Sequence, residues 1–94
     1  MAPDEVRQIR NRLGLSQADF GRLMGVTQST VYKWETGGHS VPPLKVSVIR
    51  QLDRQAQARE EKEREEWLNA LLVLSVGGLF GVLLSKIFGG DDAP

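Results

Sequence analysis

The chain has 94 residues, no cysteine, a single histidine (His39), and 12 basic against 12 acidic residues, so its formal net charge is zero. This length allows one small domain and an additional element, while the missing cysteines exclude disulfides and thiolate metal sites. The charge is split along the chain, because residues 1–59 carry nine basic and five acidic residues (9 − 5 = +4) and residues 60–94 carry three and seven (3 − 7 = −4). This asymmetry indicates a basic N-terminal module that meets a polyanion.

Four short helices are predicted within residues 1–53. Apolar residues recur there every three or four positions. The first three runs are followed by glycines at 14, 25 and 37–38, which end helices, and Pro42 and Pro43 break the chain before the fourth. Ser16 and Thr27 stand where their side chains can cap the second and third helices. No stretch alternates apolar and polar residues long enough for a strand, so the predicted fold class is all-α. The predicted inward-facing positions are Val6, Ile9, Leu13, Phe20, Leu23, Met24, Val31, Trp34, Leu44, Val48, Ile49 and Leu52.

The second and third predicted helices are joined by a tight turn that contains Gly25, which is the helix-turn-helix arrangement. Residues 14–38 read GLSQADFGRLMGVTQSTVYKWETGG. This run closely resembles the phage-repressor type of helix-turn-helix DNA-binding proteins, also called the Cro/cI or XRE type. Gly21 departs from the family pattern, which usually has alanine there, and a helical glycine costs about 1 kcal/mol in propensity.

The start of the third predicted helix carries short polar side chains suited to reading base edges in a major groove. These are Gln28, Ser29 and Thr30, and a glutamine can bond to adenine through two hydrogen bonds. Tyr32 and Lys33 follow one turn later on the outward face. We therefore predict that these five residues contact double-stranded DNA.

The resemblance implies two further roles. Gln17, at the start of the second helix, is expected to hold a DNA phosphate with help from the helix N-terminus. Arg10 and Glu35 are expected to form a structural ion pair between the first helix and the end of the third.

Since one histidine and scattered carboxylates offer no nucleophile with a base, we expect no enzyme activity, no cofactor and no metal.

Residues 54–66 contain no large apolar side chain and many charges of both signs. Arg59 and Glu63, like Glu60 and Arg64, stand four positions apart, the spacing of helix-supporting ion pairs. We therefore predict a charged helical connector, and thirteen helical residues would span roughly 20 Å.

Residues 67–88 are almost entirely apolar, and residues 89–94 form a short tail. Two interpretations remain open for this predicted helix. The first is a membrane anchor, because 19 uncharged helical residues span about 28 Å, close to the thickness of the hydrocarbon layer. The flanking charges would then orient the anchor so that the DNA-binding module stays at the inner, cytoplasmic face of the membrane. The second is an assembly helix in a homo-oligomer, a dimer or larger. Both imply self-association through the small residues Gly77, Gly81 and Ser85.

Three functions are compatible with this organisation. A sequence-specific transcriptional regulator of phage-repressor type, self-associating through its C-terminal helix, accounts for the most features. The alternatives are a membrane-anchored interaction protein that uses the helix-turn-helix fold to bind a protein, and the antitoxin of a toxin–antitoxin pair.

Overall fold

The computed structural model of the chain describes residues 1–75, and these form five α-helices. The helices are α1 (Pro3–Leu13), α2 (Gln17–Met24), α3 (Gln28–Thr36), α4 (Pro43–Gln57) and α5 (Glu61–Leu74). The described part contains no strand, which confirms the all-α prediction. We refer to α1–α4 together as the head.

The first three helices end at the glycines that the sequence indicated, and α2 and α3 begin directly after the predicted caps Ser16 and Thr27. Each ends at a glycine in the left-handed region, Gly14, Gly25 and Gly37, with φ values of 70°, 72° and 85°. A residue with a side chain would be strained at these φ values, so the glycines allow the chain to reverse direction at the end of each helix. The hydroxyls of Ser16 and Thr27 accept hydrogen bonds from backbone amides in the first turns of α2 and α3.

The head surrounds one small apolar core. Its fully buried large side chains include Phe20 of α2, Val31 of α3, and Ile49 and Leu52 of α4. Leu44 was predicted to lie in this core, but its side chain is 76 % exposed. The buried face of α4 is set by residues 49, 52 and 56, and a position five residues before Ile49 is rotated about 140° away from it.

The predicted connector at residues 54–66 does not form one helix. Its first four residues complete α4, which ends at Gln57, and α5 begins at Glu61 after a short break. Arg64 does not support a continuous helix through Glu60, because its guanidinium donates to the carbonyls of Ala56 and Arg59 at 2.9 and 3.0 Å. These contacts stabilise the reversal between the two helices.

α5 packs back on the head, chiefly against α2. Leu68 and Leu71 are buried in the same core as the head residues, and Arg22 of α2 donates to the carbonyl of Leu72 at 3.3 Å. The guanidinium of Arg59 lies over the ring of Trp67, 4.2 Å from its centre. The apolar core thus includes residues beyond position 53, where the sequence placed the end of the globular module.

Most of the predicted apolar helix lies outside the described residues. Gly77, Gly81 and Ser85, the predicted self-association residues, and the tail at 89–94 belong to that part of the chain. Within residues 1–75, no helix combines the length and the apolar character needed to cross a membrane.

Candidate nucleic-acid interface

α3 presents its N-terminal half on the outside of the head. Gln28, Ser29 and Lys33 are exposed, and the Tyr32 side chain is 56 % exposed. Thr30 is half-buried, and its backbone amide and hydroxyl both contact the Thr27 hydroxyl at 3.1 Å. Four of the five predicted α3 residues therefore lie on one accessible surface, while Thr30 donates its backbone amide to the capping residue Thr27.

Gln17 and Gln28 meet at the N-termini of α2 and α3. The side-chain amide of Gln28 donates to the side-chain oxygen of Gln17 at 3.5 Å. The Gln17 amide in turn donates to the carboxylate of Glu35 at 3.1 Å. The structure places the Gln17 amide in a chain of hydrogen bonds that leads from Glu35 to Gln28, and the phosphate contact of Gln17 stays a prediction.

Glu35 is the buried end of this chain, with 3 % of its surface exposed. The Arg10 guanidinium donates to both of its carboxylate oxygens, with Nε at 2.6 Å and Nη2 at 3.1 Å. The structure therefore brings Arg10 and Glu35 together in a two-pronged pair of the kind that arginine forms best. Arg10 also donates to the carbonyl of Leu15, which fixes the connection between α1 and α2.

Protonation of Glu35 is opposed by these partners. Burial on its own raises the pKa of a carboxyl group, but hydrogen bonds from Arg10 and Gln17 outweigh burial and hold the pKa of Glu35 below its ordinary value. The hydrogen bond to Glu35 likewise raises the pKa of Arg10. The pair is therefore charged at neutral pH, and Glu35 remains an acceptor for Gln17.

Arg7 is a member of the network that the sequence did not indicate. Its guanidinium donates to the backbone carbonyl of Glu35 at 3.2 Å and pairs with Asp4 at 3.5 Å. The available signal was its spacing, since Arg7 precedes Arg10 by three residues and thus shares its face of α1.

Most arginines of the head are neutralised internally. Arg7, Arg10, Arg12, Arg22 and Arg50 all form ion pairs with acidic side chains. Lys33 and Lys45, in contrast, form no ion pair with any described residue, and the Lys45 ammonium approaches the α2–α3 turn at Gly25. These two lysines are cations that the head leaves available near α3.

The arrangement supplies hydrogen-bonding groups rather than catalytic ones. Within residues 1–75, no cluster of histidine and carboxylate side chains could hold a metal ion. The exposed amide, hydroxyls and ammonium of α3 are groups that bond to base edges and phosphates in a groove.

Comparison with known families agrees with this geometry. A family model described as a helix-turn-helix domain matches residues 4–67, which is 64 of the 94 residues and spans α1 to the middle of α5. No curated protein and no solved structure matches the chain. Domains of this family bind DNA and are typically not enzymes. The chain therefore belongs to the helix-turn-helix domain family associated with XRE-type DNA-binding regulators.

Proposed function

We propose that the protein is a sequence-specific transcriptional regulator of phage-repressor type. The observation that carries this proposal is the exposed Gln28 side chain, which Gln17 and the buried Glu35 hold in a defined position at the start of α3. A glutamine held in advance loses less conformational entropy when it bonds to adenine in the major groove. Ser29, Tyr32 and Lys33 complete the proposed contact surface.

The N-terminus of α2 is the proposed phosphate contact. Ser16 caps the backbone amide of Asp19, so the backbone amides of Gln17 and Ala18, with the second amide hydrogen of the Gln17 side chain, are the donors proposed for a phosphate. Lys33 and Lys45 would add electrostatic attraction. In this arrangement Gln17 contributes by positioning Gln28, and Arg10 and Glu35 contribute by positioning Gln17.

The regulator is proposed to act as a self-associated assembly, because helix-turn-helix proteins read two half-sites together. The proposed association surface is the stripe of Gly77, Gly81 and Ser85 in the apolar segment 67–88, whose small residues allow helices to approach closely. The same segment is long and apolar enough in sequence to tether the head to the inner face of the cell membrane.

Base reading is tested by selecting binding sites from random duplexes and then comparing variants on the selected site. Gln28→Ala should weaken specific binding by roughly 1–3 kcal/mol and relax the preference at one base pair. Gln8→Ala, which truncates an exposed glutamine on α1, is the matched control and should bind like the parent. Equal affinities of the parent and Gln28→Ala for the selected site would remove Gln28 from the proposed reading surface.

Self-association is tested by sedimentation of the full-length chain with and without detergent. Gly81→Leu should weaken the oligomer more than Leu79→Ala does, because a bulky side chain separates closely packed helices. A chain that needs detergent for extraction from membranes would support the anchor, and one that assembles in plain buffer would support the assembly helix. If a chain lacking residues 67–94 remains folded and still dimerises as the full length does, the segment has no role in association.

A further inference from the structure

The break between α4 and α5 lacks the stop signals that end the preceding helices. The C-caps of α1, α2 and α3 are glycines with positive φ, whereas the C-cap of α4 is Ala58, whose φ of −75° and ψ of −8° are right-handed helical values. Residues 58–60 are alanine, arginine and glutamate, all of which favour helices. Glu60, with ψ of 160°, interrupts the helix although its residue type does not require an interruption.

At the break, some backbone carbonyls accept hydrogen bonds from side chains. Glu60 is the N-cap of α5 but provides no side-chain cap for its first amides. The carbonyls at the end of α4 are held by arginines, with Arg59 bonding to Gln55 at 2.7 Å and Arg64 to Ala56 at 2.9 Å. In a continuous helix the amides of the first turn of α5 would bond to carbonyls at the end of α4. Straightening would thus give backbone partners to the uncapped first amides of α5 and replace the arginine contacts at the end of α4.

The contacts between α5 and the head favour the opposite arrangement. Leu68 and Leu71 are buried, and Arg22 donates to the carbonyl of Leu72. If α4 and α5 joined into one helix, α5 would leave its own head and expose the surface of α2 that it covers. The segment that fits this surface residue for residue is the α5 helix of a second copy.

We infer that the chain forms a dimer by exchanging α5, with residues 43–74 of each copy as one helix of roughly 48 Å. Each α5 then makes on its partner's head the contacts described here within one chain. The exchange deepens the proposed function in one respect, because it would link two DNA-reading heads. Its structural basis does not depend on DNA binding, and its test needs no DNA.

Proline at position 61 distinguishes the two forms. Glu61 is the first residue of α5, a position that suits proline, and the extended backbone of Glu60 is the conformation preferred before proline. In the continuous helix the same proline would lie in the interior and disfavour that form by roughly a hundredfold. Glu61→Ala is the matched control, and Glu60→Ala should favour the continuous helix.

The readout is a cross-link between chains. Asp19 of α2 and Asn69 of α5 line one groove of about 270 Å³ between the head and α5. Because the chain has no cysteine, full-length Asp19→Cys and a mass-tagged Asn69→Cys can be mixed in a mild detergent and joined with a short bismaleimide. Only exchange brings these two positions of different chains into that groove.

We expect a cross-linked heterodimer in the parent and Glu61→Ala backgrounds, more of it with Glu60→Ala, and only background yield with Glu61→Pro. Absence of the heterodimer in the parent, or an equal yield with Glu61→Pro that retains its helical circular dichroism, would overturn the exchange. Sedimentation and DNA binding of the Glu61→Pro chain report separately on the proposed function. If that chain still self-associates and binds DNA, the proposed function stands whether or not exchange occurs.

Discussion

The carboxylate of Glu35 connects three helices through side chains that meet at one buried point. Arg10 approaches from α1 and Gln17 from α2, and Glu35 itself belongs to the last turn of α3. Breaking such a pair by removing one partner leaves an uncompensated buried charge. The residues that orient Gln28 are therefore also residues on which the stability of the head depends.

Arg10→Ala should lower the free energy of unfolding of the full-length chain by roughly 3–5 kcal/mol, because the buried Glu35 carboxylate would lose the arginine that bonds to both of its oxygens. Thermal or denaturant unfolding followed by circular dichroism measures this change. Arg12→Ala is the control, since the Arg12–Asp53 pair is solvent-exposed and such pairs contribute about 1 kcal/mol or less. Equal effects of the two substitutions would show that burial of the Arg10–Glu35 pair contributes nothing.

The lowered pKa of Glu35 makes a specific prediction for acid. A carboxyl group whose pKa is lower in the folded state contributes stability above its unfolded pKa, near 4.5, and loses that contribution as the pH falls through the folded value. The melting temperature of the parent should therefore fall more steeply below about pH 4.5 than that of Glu35→Gln. Parallel curves for the two proteins would contradict the proposed role of the charge.

At the scale of helices, Gly21 of α2 decides how closely α2 approaches the turn before α3. Gly21 is buried, and a Cβ built on it would lie 2.7 Å from the backbone carbonyl oxygen of Val26 and 3.2 Å from the backbone of Thr27. From the sequence, the expected effect of glycine at this position is limited to a loss of helix propensity. The structure shows instead a contact that has no room for a methyl group without movement of the turn.

Gly21→Ala therefore has two opposing effects. The gain in helix propensity is about 1 kcal/mol, while overpacking against backbone costs roughly 1–3 kcal/mol. We expect a net decrease in the melting temperature, since a carbonyl oxygen moves less easily than a flexible side chain. Gly38→Ala is the control, because its Cβ would make ordinary contacts of 3.5 Å with Lys33. A higher melting temperature of Gly21→Ala would mean that the α2–α3 turn adjusts freely.

Across residues 1–75, the basic head and α5, the helix that begins the acidic part of the sequence, do not lie apart. The charged first half of α5 carries four glutamates against Lys62 and Arg64, a net charge of 2 − 4 = −2, and α5 packs on α2 of the head. Together with the internal ion pairs of the arginines, this leaves few cations to neutralise DNA phosphates. Lys33 and Lys45 are the described lysines nearest the proposed interface.

The affinity of one head for DNA should accordingly depend only modestly on salt. Two neutralised phosphates give a slope of log K against log salt of about −2, and Lys33→Ala should reduce its magnitude by about 1. Fluorescence anisotropy with a labelled duplex over a salt series measures the slope. Arg12→Ala, which removes an arginine that is paired with Asp53, should leave it unchanged. A parental slope several times steeper would require phosphate contacts by the paired arginines.

The all-α class, the C-terminal ends of α1–α3 and the helix-turn-helix unit could be predicted from the sequence. These follow from short-range signals: Ser16 and Thr27 cap amides three residues away, and Gly14, Gly25 and Gly37 reverse the chain locally. The resemblance of residues 14–38 also predicted the pairing of Arg10 with Glu35, which lie 25 positions apart and meet in the structure. The resemblance could predict this long-range contact because the ion pair is part of the family's fold.

The neighbours of the other side chains depend on how the helices pack and could not be predicted from the sequence. The amide of Gln17 bonds to Glu35, 18 positions away, and Arg22 bonds to the carbonyl of Leu72, 50 positions away. The residues at 58–60 favour a continuous helix locally, yet the chain reverses there because Leu68 and Leu71 are buried against the head. Local propensity amounts to tenths of a kcal/mol per residue, whereas burying two leucines amounts to several kcal/mol, so packing overrides the local preference.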